Sequence, residues 1–116
     1  MRKLIIKTKG KTYCIDVETI LYCRASSSYT CIYLASGDTV IASFNLTVMH
    51  EKLDHCDFIF RVSRSHLINL HYLSAIDHTN RVVELRNDIK IPYTGLLKEI
   101  EDSLIKLVKP WERKIS

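Results

Sequence analysis

The sequence is poor in glycine and proline, with three glycines and two prolines among 116 residues. So few glycines leave no glycine-rich loop to cradle a phosphate, and neither the P-loop pattern nor G-x-G-x-x-G occurs. The apolar runs fall far short of the ~18 residues that a membrane-spanning helix needs. The start "MRKLIIKTKGK" also has too short an apolar stretch for a secretory signal. We therefore expect a cytoplasmic protein that does not associate with membranes.

Metal-site spacings are also missing, although the ligand residue types are present. The four cysteines contain no C-x-x-C pair: Cys14, Cys23, Cys31 and Cys56. The histidine spacings match neither the H-E-x-x-H motif nor a zinc finger, so we expect no metal and no cofactor. Free thiols in strands behave as small apolar residues, which favours a reducing compartment. A secreted disulfide pair, or a redox sensor built on Cys23 or Cys31, stays open as an alternative.

Catalytic groups are not arranged for a reaction. Ser65 and His66 are neighbours in the sequence, but a nucleophile and its base must converge in space, which adjacency does not provide. The carboxylates occur singly in predicted turns, and the G-x-S-x-G elbow is absent. We expect no enzymatic activity and no small-molecule substrate.

Composition and charge describe one ordinary folded domain with a mild basic excess. The hydrophobic fraction is 47% and the charged fraction 26%, which argues against disorder. Seventeen Lys+Arg against thirteen Asp+Glu give a net charge of +4, which is compatible with nucleic-acid binding. We expect a single domain over residues 1–116, with its core at about 3–108. The first strand begins within a few residues of Met1, so no receiver domain is expected in this chain.

Alternation of apolar and polar residues with a period of two predicts an all-β core of nine or ten short strands. The predicted strands cover residues 4–7, 12–15, 19–24, 29–34, 39–43, 58–62, 72–78, 81–85 and 89–91. Asn45 is predicted to cap a short helix that runs to about Leu53. Thr94 is predicted to cap a C-terminal helix that Pro110 ends.

The alternation breaks between Arg61 and Asn69, where two arginines, two serines, a histidine and an asparagine crowd into nine residues. The planar fork of arginine can grip a phosphate, or the O6/N7 edge of guanine, with two hydrogen bonds. Serine and asparagine side chains can donate to phosphate. A polar corner whose arginines pair with Asp57 or Asp77 would explain the same composition, so the pattern alone leaves both interpretations open.

The run "RVSRSHLIN" at residues 61–69, followed by a hydrophobic strand, closely resembles the "R-V-H-R-S-aromatic-L-V-N" signature of LytTR DNA-binding domains. Weaker similarities extend along the chain to the "ILY" strand at 20–22, Tyr29, the predicted helix at 46–53 and "IPYT" at 91–94. The resemblance thus covers about residues 3–108.

The resemblance implies an elongated fold of about ten strands whose loops enter successive major grooves from one edge. It further implies the output domain of a bacterial response regulator in a two-component system. Such a domain would regulate transcription by binding double-stranded DNA at paired direct repeats, with a homodimer on DNA as a further expectation. A β-rich protein-interaction or sensory module without nucleic-acid binding is the alternative from another class.

Carried over position by position, the resemblance assigns DNA contacts to seven residues. Arg64 falls at the base-reading position, and Arg61 and Ser65 fall at phosphate-contacting positions. Ser28 and Tyr29 match the first recognition loop, while Asn45 and Lys98 are candidate backbone contacts near helix starts, where phosphate is favoured.

Two positions depart from the family pattern. Ser63 replaces the usual histidine, which shortens the reach at that position. Gly95 stands where many members carry a base-reading arginine. Either more of the specificity rests on Arg64 and the first recognition loop, or the last loop uses Lys98 or backbone amides. Asn69 is expected to satisfy backbone groups at the corner rather than to contact DNA.

Overall fold

The computed structural model describes residues 2–108, which form an elongated molecule with principal extents of 50 × 29 × 25 Å. Over this range the chain makes ten strands, two α-helices and two short 3-10 turns. The strands are β1 (Lys3–Lys7), β2 (Thr12–Asp16), β3 (Ile20–Ser26), β4 (Tyr29–Leu34), β5 (Thr39–Ala42), β6 (Ile59–Ser63), β7 (His66–Asn69), β8 (Leu73–Asp77), β9 (Val82–Leu85) and β10 (Ile89–Pro92). The helices are α1 (Leu46–Lys52) and α2 (Leu97–Leu107), and the 3-10 turns are Val17–Thr19 and Leu70–Tyr72. The expected mainly-β class is confirmed.

Strand pairing within residues 2–108 is antiparallel throughout and produces three sheets. β1 and β2 form a separate hairpin. The central sheet has five strands in the order β5-β4-β3-β7-β6, and a third sheet has the order β10-β9-β8. The five-stranded sheet is the framework on which the other elements pack.

Each face of the five-stranded sheet covers its own hydrophobic core. One core lies between this sheet, the β1–β2 hairpin and α1, and includes Ile6, Met49 and Leu67. The other lies between the opposite face, the three-stranded sheet and α2, and includes Ile68, Val83 and Ile100. Alternation along a strand sends successive side chains to opposite faces, so neighbouring residues enter different cores.

β7 is the strand that the sequence pattern did not predict. Its neighbouring residues Leu67 and Ile68 are almost fully buried in different cores. A strand buried on both faces shows an apolar run instead of alternation, and this run is too short to distinguish from a loop. β7 nevertheless pairs with both β3 and β6, so it joins the two halves of the central sheet.

Of the two predicted helix caps, the one at Asn45 is confirmed and the one at Thr94 is wrong. The side-chain Oδ1 of Asn45 accepts a hydrogen bond from the Val48 N–H at 2.9 Å, which confirms the predicted cap of α1. The prediction for Thr94 is wrong, because α2 begins at Leu97 and the residue before it makes no side-chain cap. The Thr94 N–H instead donates to the carbonyl of Val62 in β6. Pro110, predicted to end α2, lies outside the described residues.

None of the helices within residues 2–108 is both long enough and apolar enough to span a membrane.

Candidate nucleic-acid interface

Several turns meet at one end of the five-stranded sheet, and we call this surface the loop end. It comprises the turn 27–28, the segment 43–45, the turn 64–65 and the loop 93–96. The Ala25 N–H donates to the Ser65 carbonyl at 2.9 Å, which joins the first two hairpins of the surface. The Thr94 N–H donates to the Val62 carbonyl at 3.0 Å, which attaches the last loop. Segments far apart in sequence are therefore held in one surface.

Arg61 braces the turn 64–65 from the α1 side. Its guanidinium donates to the Ser63 carbonyl at 3.1 Å, to the Arg64 carbonyl at 2.8 Å and to the Thr47 hydroxyl at 3.1 Å. These three bonds leave two of the five N–H donors of an arginine for an external acceptor. Arg61 thus fixes the turn against α1 and keeps the capacity to bind an anion.

A β-bulge directly before the turn changes the direction of its side chains. The register passes from Arg61↔Leu67 to Ser63↔His66, which adds one residue to β6. Bulges bend and twist a strand and are common beside functional surfaces. The Ser63 hydroxyl accepts a hydrogen bond from the Ser65 N–H at 3.2 Å, so the residue that departs from the family pattern stabilises the turn.

Arg64 lies in this braced turn with an exposed guanidinium. Among residues 2–108 it is the one arginine whose side chain has no hydrogen bond, ion pair or aromatic contact. The other described arginines are all held by such contacts: Arg2, Arg24, Arg61, Arg81 and Arg86. The pairing with Asp57 or Asp77 that the alternative interpretation required forms at neither Arg61 nor Arg64 within the described residues. Arg64 combines a fixed backbone with a free tip, which suits bidentate recognition of a planar acceptor.

The turn between β3 and β4 presents Ser28 and Tyr29. Ser27 has a φ of 57°, and this left-handed conformation closes the two-residue turn between the paired residues Ser26 and Tyr29. The Tyr29 side chain is exposed, although large aromatic residues are usually more buried. An exposed ring beside small hydroxyl groups can stack or donate hydrogen bonds to a ligand surface.

The start of α1 is fixed at the loop end by a buried hydroxyl. The Thr30 hydroxyl donates to the Phe44 carbonyl at 2.8 Å, immediately before Asn45. Since the Oδ1 of Asn45 caps the helix, its NH2 group is the part left to donate to a phosphate.

The loop 93–96 connects β10 to α2, both of which pack on the core that includes Ile68, and it reaches the loop end from that side. Gly95 lines an open depression together with Ser63 and Arg64. A Cβ atom built on Gly95 would have no neighbour within 4 Å, so this position has room for the side chain that the sequence lacks.

Lys98 lies in the first turn of α2 and is less free than Arg64. Its Nζ lies 2.8 Å from Asp102 Oδ2, and this hydrogen bond raises the pKa of the lysine. Both side chains are exposed, and exposed pairs of this kind contribute little stability. Lys98 can therefore exchange its carboxylate partner for a phosphate.

Sequence reasoning missed Arg81, which belongs to the turn between β8 and β9. Its Nη2 donates to the Gly95 carbonyl at 2.7 Å, and its guanidinium lies 4.5 Å from the centre of the Tyr93 ring. A single basic residue in a polar turn gives no sequence signal of such a contact. The bracing role of Thr47 has no sequence signal either, because it depends on the packing of α1 against the five-stranded sheet.

Asn69 lies at the end of β7 that is remote from the loop end, beside the start of β3. This fully buried side chain donates to the carbonyls of Glu18 at 3.3 Å and Ile20 at 2.8 Å, and its Oδ1 accepts from the His71 N–H at 2.9 Å. The expectation that Asn69 satisfies backbone groups is confirmed.

His66 lies on the same face of β7 as Ile68, toward the core that includes Val83 and Ile100, and not toward the exposed turn. Its Nδ1 lies 3.5 Å from the Ser63 hydroxyl, and its ring centre lies 6.4 Å from that of Tyr22. Burial, followed by the positive charge of Arg24, lowers the pKa of His66. The imidazole is therefore neutral near pH 7, with one ring N–H to donate.

Metal-binding and thiol chemistry receive no support from the described residues. No three histidine, cysteine, aspartate or glutamate side chains between positions 2 and 108 are grouped as metal ligands. Burial raises the pKa of the Cys23 thiol to about 12, so this group is not a reactive thiolate at neutral pH.

Comparison with known proteins gives the class of the domain. The family model for the LytTr DNA-binding domain matches residues 10–104. The chain therefore belongs to the LytTR family of DNA-binding domains, a family of DNA-binding rather than enzymatic domains.

A solved structure has the same fold. It is the LytTr DNA-binding domain of a protein described as a methyl-accepting/DNA response regulator from Bacillus cereus, and it superposes with a TM-score of 0.69. The similarity covers 89% of this chain and 95% of that chain, at 19% sequence identity. No curated protein sequence matches the chain. Family membership supports DNA binding in transcription regulation.

Proposed function

We propose that this domain binds double-stranded DNA sequence-specifically through the loop end, with Arg64 as its main base-reading side chain. The observation that carries the proposal is the contrast between Arg64, which is free, and the other described arginines, which are held by contacts within the domain. A free guanidinium on a braced turn can enter the major groove and bind guanine O6 and N7 together.

Phosphate contacts would position the domain on the duplex. Arg61 has two N–H donors left after bracing the turn, and the exposed hydroxyl of Ser65 lies on the same turn. Ser28 and Tyr29 would contact the duplex from the first turn. The NH2 group of Asn45 and the ammonium of Lys98 would bind the backbone near two helix starts.

At the level of the regulator, the expected target is a pair of direct repeats, with one domain on each repeat. A homodimer on DNA follows if the two copies also contact each other. We further propose that the domain acts in the cytoplasm as the output unit of a two-component response regulator, as a single domain of residues 1–116, without catalysis, cofactor or small-molecule substrate.

Selection from a random pool of double-stranded DNA tests the proposal. The pool is selected with the wild type, with Arg64→Ala and with Arg86→Ala. The β8–β9 turn is the end of the three-stranded sheet next to the loop end, because Arg81 in this turn bonds the Gly95 carbonyl. Arg86 lies in the β9–β10 turn, at the opposite end of the same sheet. Arg86→Ala therefore removes the same charge away from the loop end.

The wild type and Arg86→Ala are expected to enrich one shared motif that contains a guanine at a fixed position. Arg64→Ala is expected to lose the preference at that guanine. The distance between enriched repeats reports the repeat spacing in the same experiment. A wild-type protein that enriches no motif would overturn the proposed function, and an unchanged motif with Arg64→Ala would overturn the assignment of the base reader.

A further inference from the structure

Arg81 is an exposed arginine that the turn between β8 and β9 holds against the loop end. Its backbone has a φ of 53°, a left-handed conformation that is uncommon outside glycine, asparagine and aspartate. The Tyr93 N–H donates to the Arg81 carbonyl at 3.1 Å, so the turn and the loop 93–96 are also joined through the backbone. The side chain is therefore fixed at both ends beside this loop.

The Arg81 guanidinium is attached to the loop by one of its donors only. Nη2 bonds the Gly95 carbonyl, the ring of Tyr93 lies against the guanidinium, and the remaining N–H groups have no partner within residues 2–108. Such an arginine loses little conformational freedom when it binds an anion, because its position is already set.

Gly95 provides the second observation. Neither its backbone conformation nor a close neighbour requires glycine, since a Cβ atom would meet nothing within 4 Å. The open space over Gly95 belongs to the depression that Arg64 also lines. Arg61 and Arg64 line this depression, and Arg81 adds a third positive charge beside it through its hydrogen bond to the Gly95 carbonyl.

We propose that Arg81 is an additional DNA-contacting residue, which binds a backbone phosphate beside the groove that Arg64 enters. It supplies, from the β8–β9 turn, the positive charge that the loop 93–96 does not carry itself. This inference rests on the proposed DNA-binding function of the loop end. A phosphate is the expected partner because a guanidinium already bonded to the protein backbone cannot extend as far as a free one.

Replacement of Arg81 by glutamine separates charge from structure. The glutamine amide retains a donor for the Gly95 carbonyl but removes the positive charge. With a duplex that the wild type binds, Arg81→Gln is expected to weaken binding about tenfold. The loss should be equal for specific and scrambled duplexes, and the log–log salt slope should fall by about one.

A rescue variant gives the decisive readout. Arg81→Gln combined with Gly95→Arg moves the guanidinium into the open space over residue 95, and it is expected to restore affinity and salt slope. Ala35→Arg, in the exposed turn after β4, adds the same charge at the other end of the sheet and should not rescue the Arg81→Gln variant.

Two results would overturn the inference. The first is that Arg81→Gln binds DNA with the affinity and the salt slope of the wild type. The second is that Ala35→Arg restores the binding of Arg81→Gln as well as Gly95→Arg does. Arg64→Ala is measured in the same series. If Arg64→Ala weakens specific binding while Arg81→Gln does not, the inference fails and the proposed function stands. If the wild type binds no duplex, both fail.

Discussion

Arg61 and Arg64 lie three positions apart in one hairpin, yet the Arg61 side chain is held by hydrogen bonds and the Arg64 side chain is free. The Arg61 guanidinium bonds the carbonyls of Ser63 and Arg64 and the hydroxyl of Thr47, whereas the side chain of Arg64 bonds nothing within the described part of the chain. Replacing Arg61 by alanine should lower the free energy of unfolding by about 0.5–1.5 kcal/mol, because one part-buried acceptor and two exposed acceptors lose their donor. It should also weaken binding to all duplexes alike. Urea denaturation and anisotropy titrations measure both effects, and a loss confined to one DNA sequence would contradict this role.

Asn69 is the residue whose removal should affect folding without affecting the contact surface. Asn69→Ala removes the side-chain donor of the buried Ile20 carbonyl and the acceptor of the His71 N–H, while the Glu18 carbonyl keeps the Tyr72 hydroxyl, so the free energy of unfolding should fall by about 1–3 kcal/mol. Ser74→Ala is a suitable control, because it removes one exposed hydroxyl that donates to the Glu84 carbonyl. Equal urea midpoints for the two variants would show that the buried network contributes no more than a surface hydrogen bond.

At the scale of elements, the start of α1 has two roles that substitution can separate. Asn45→Ala removes the cap and should lower the free energy of unfolding by about 1 kcal/mol. Asn45→Asp keeps a capping oxygen and places a negative charge at a helix N-terminus, so stability should be retained. The same charge repels phosphate, and DNA affinity should fall. Thermal unfolding with DNA titration tests both, and unchanged affinity in Asn45→Asp would exclude a phosphate contact at this position.

The β6–β7 hairpin should be sensitive to acid through His66. Burial and Arg24 lower the pKa of His66 in the folded state, so the unfolded chain binds a proton more readily. Stability from this group is fully present above the ordinary histidine pKa of about 6.5 and is lost as the pH falls from there through the lower pKa of the folded state. In His66→Asn, the free energy of unfolding should depend less on pH between about 7 and 5. The remaining slope should include His50, whose pKa is lowered by burial and by Arg61. An identical slope in wild type and variant would refute the assignment.

At the scale of the whole molecule, local patterns predicted the elements whose physics is local. Strands exposed on one face, such as β1 and β5, alternate, and the cap at Asn45 depends on the next three residues, so both were visible in the sequence. β7 was not predicted, because a strand buried on both faces does not alternate. The difference between Arg61 and Arg64, and the contact of Arg81 with Gly95, arise only when distant segments pack together.

Binding by the whole loop end should be strongly electrostatic, with a log–log salt slope of about −0.9 for each phosphate that is neutralised. The central claim, however, concerns specificity at Arg64. Its most direct test is the ratio of affinities for the selected duplex and a scrambled duplex, measured by fluorescence anisotropy at one salt concentration for wild type, Arg64→Ala and Arg86→Ala. We predict that Arg64→Ala lowers this ratio about 5- to 150-fold while Arg86→Ala leaves it at the wild-type value. A ratio unchanged by Arg64→Ala would contradict the claim.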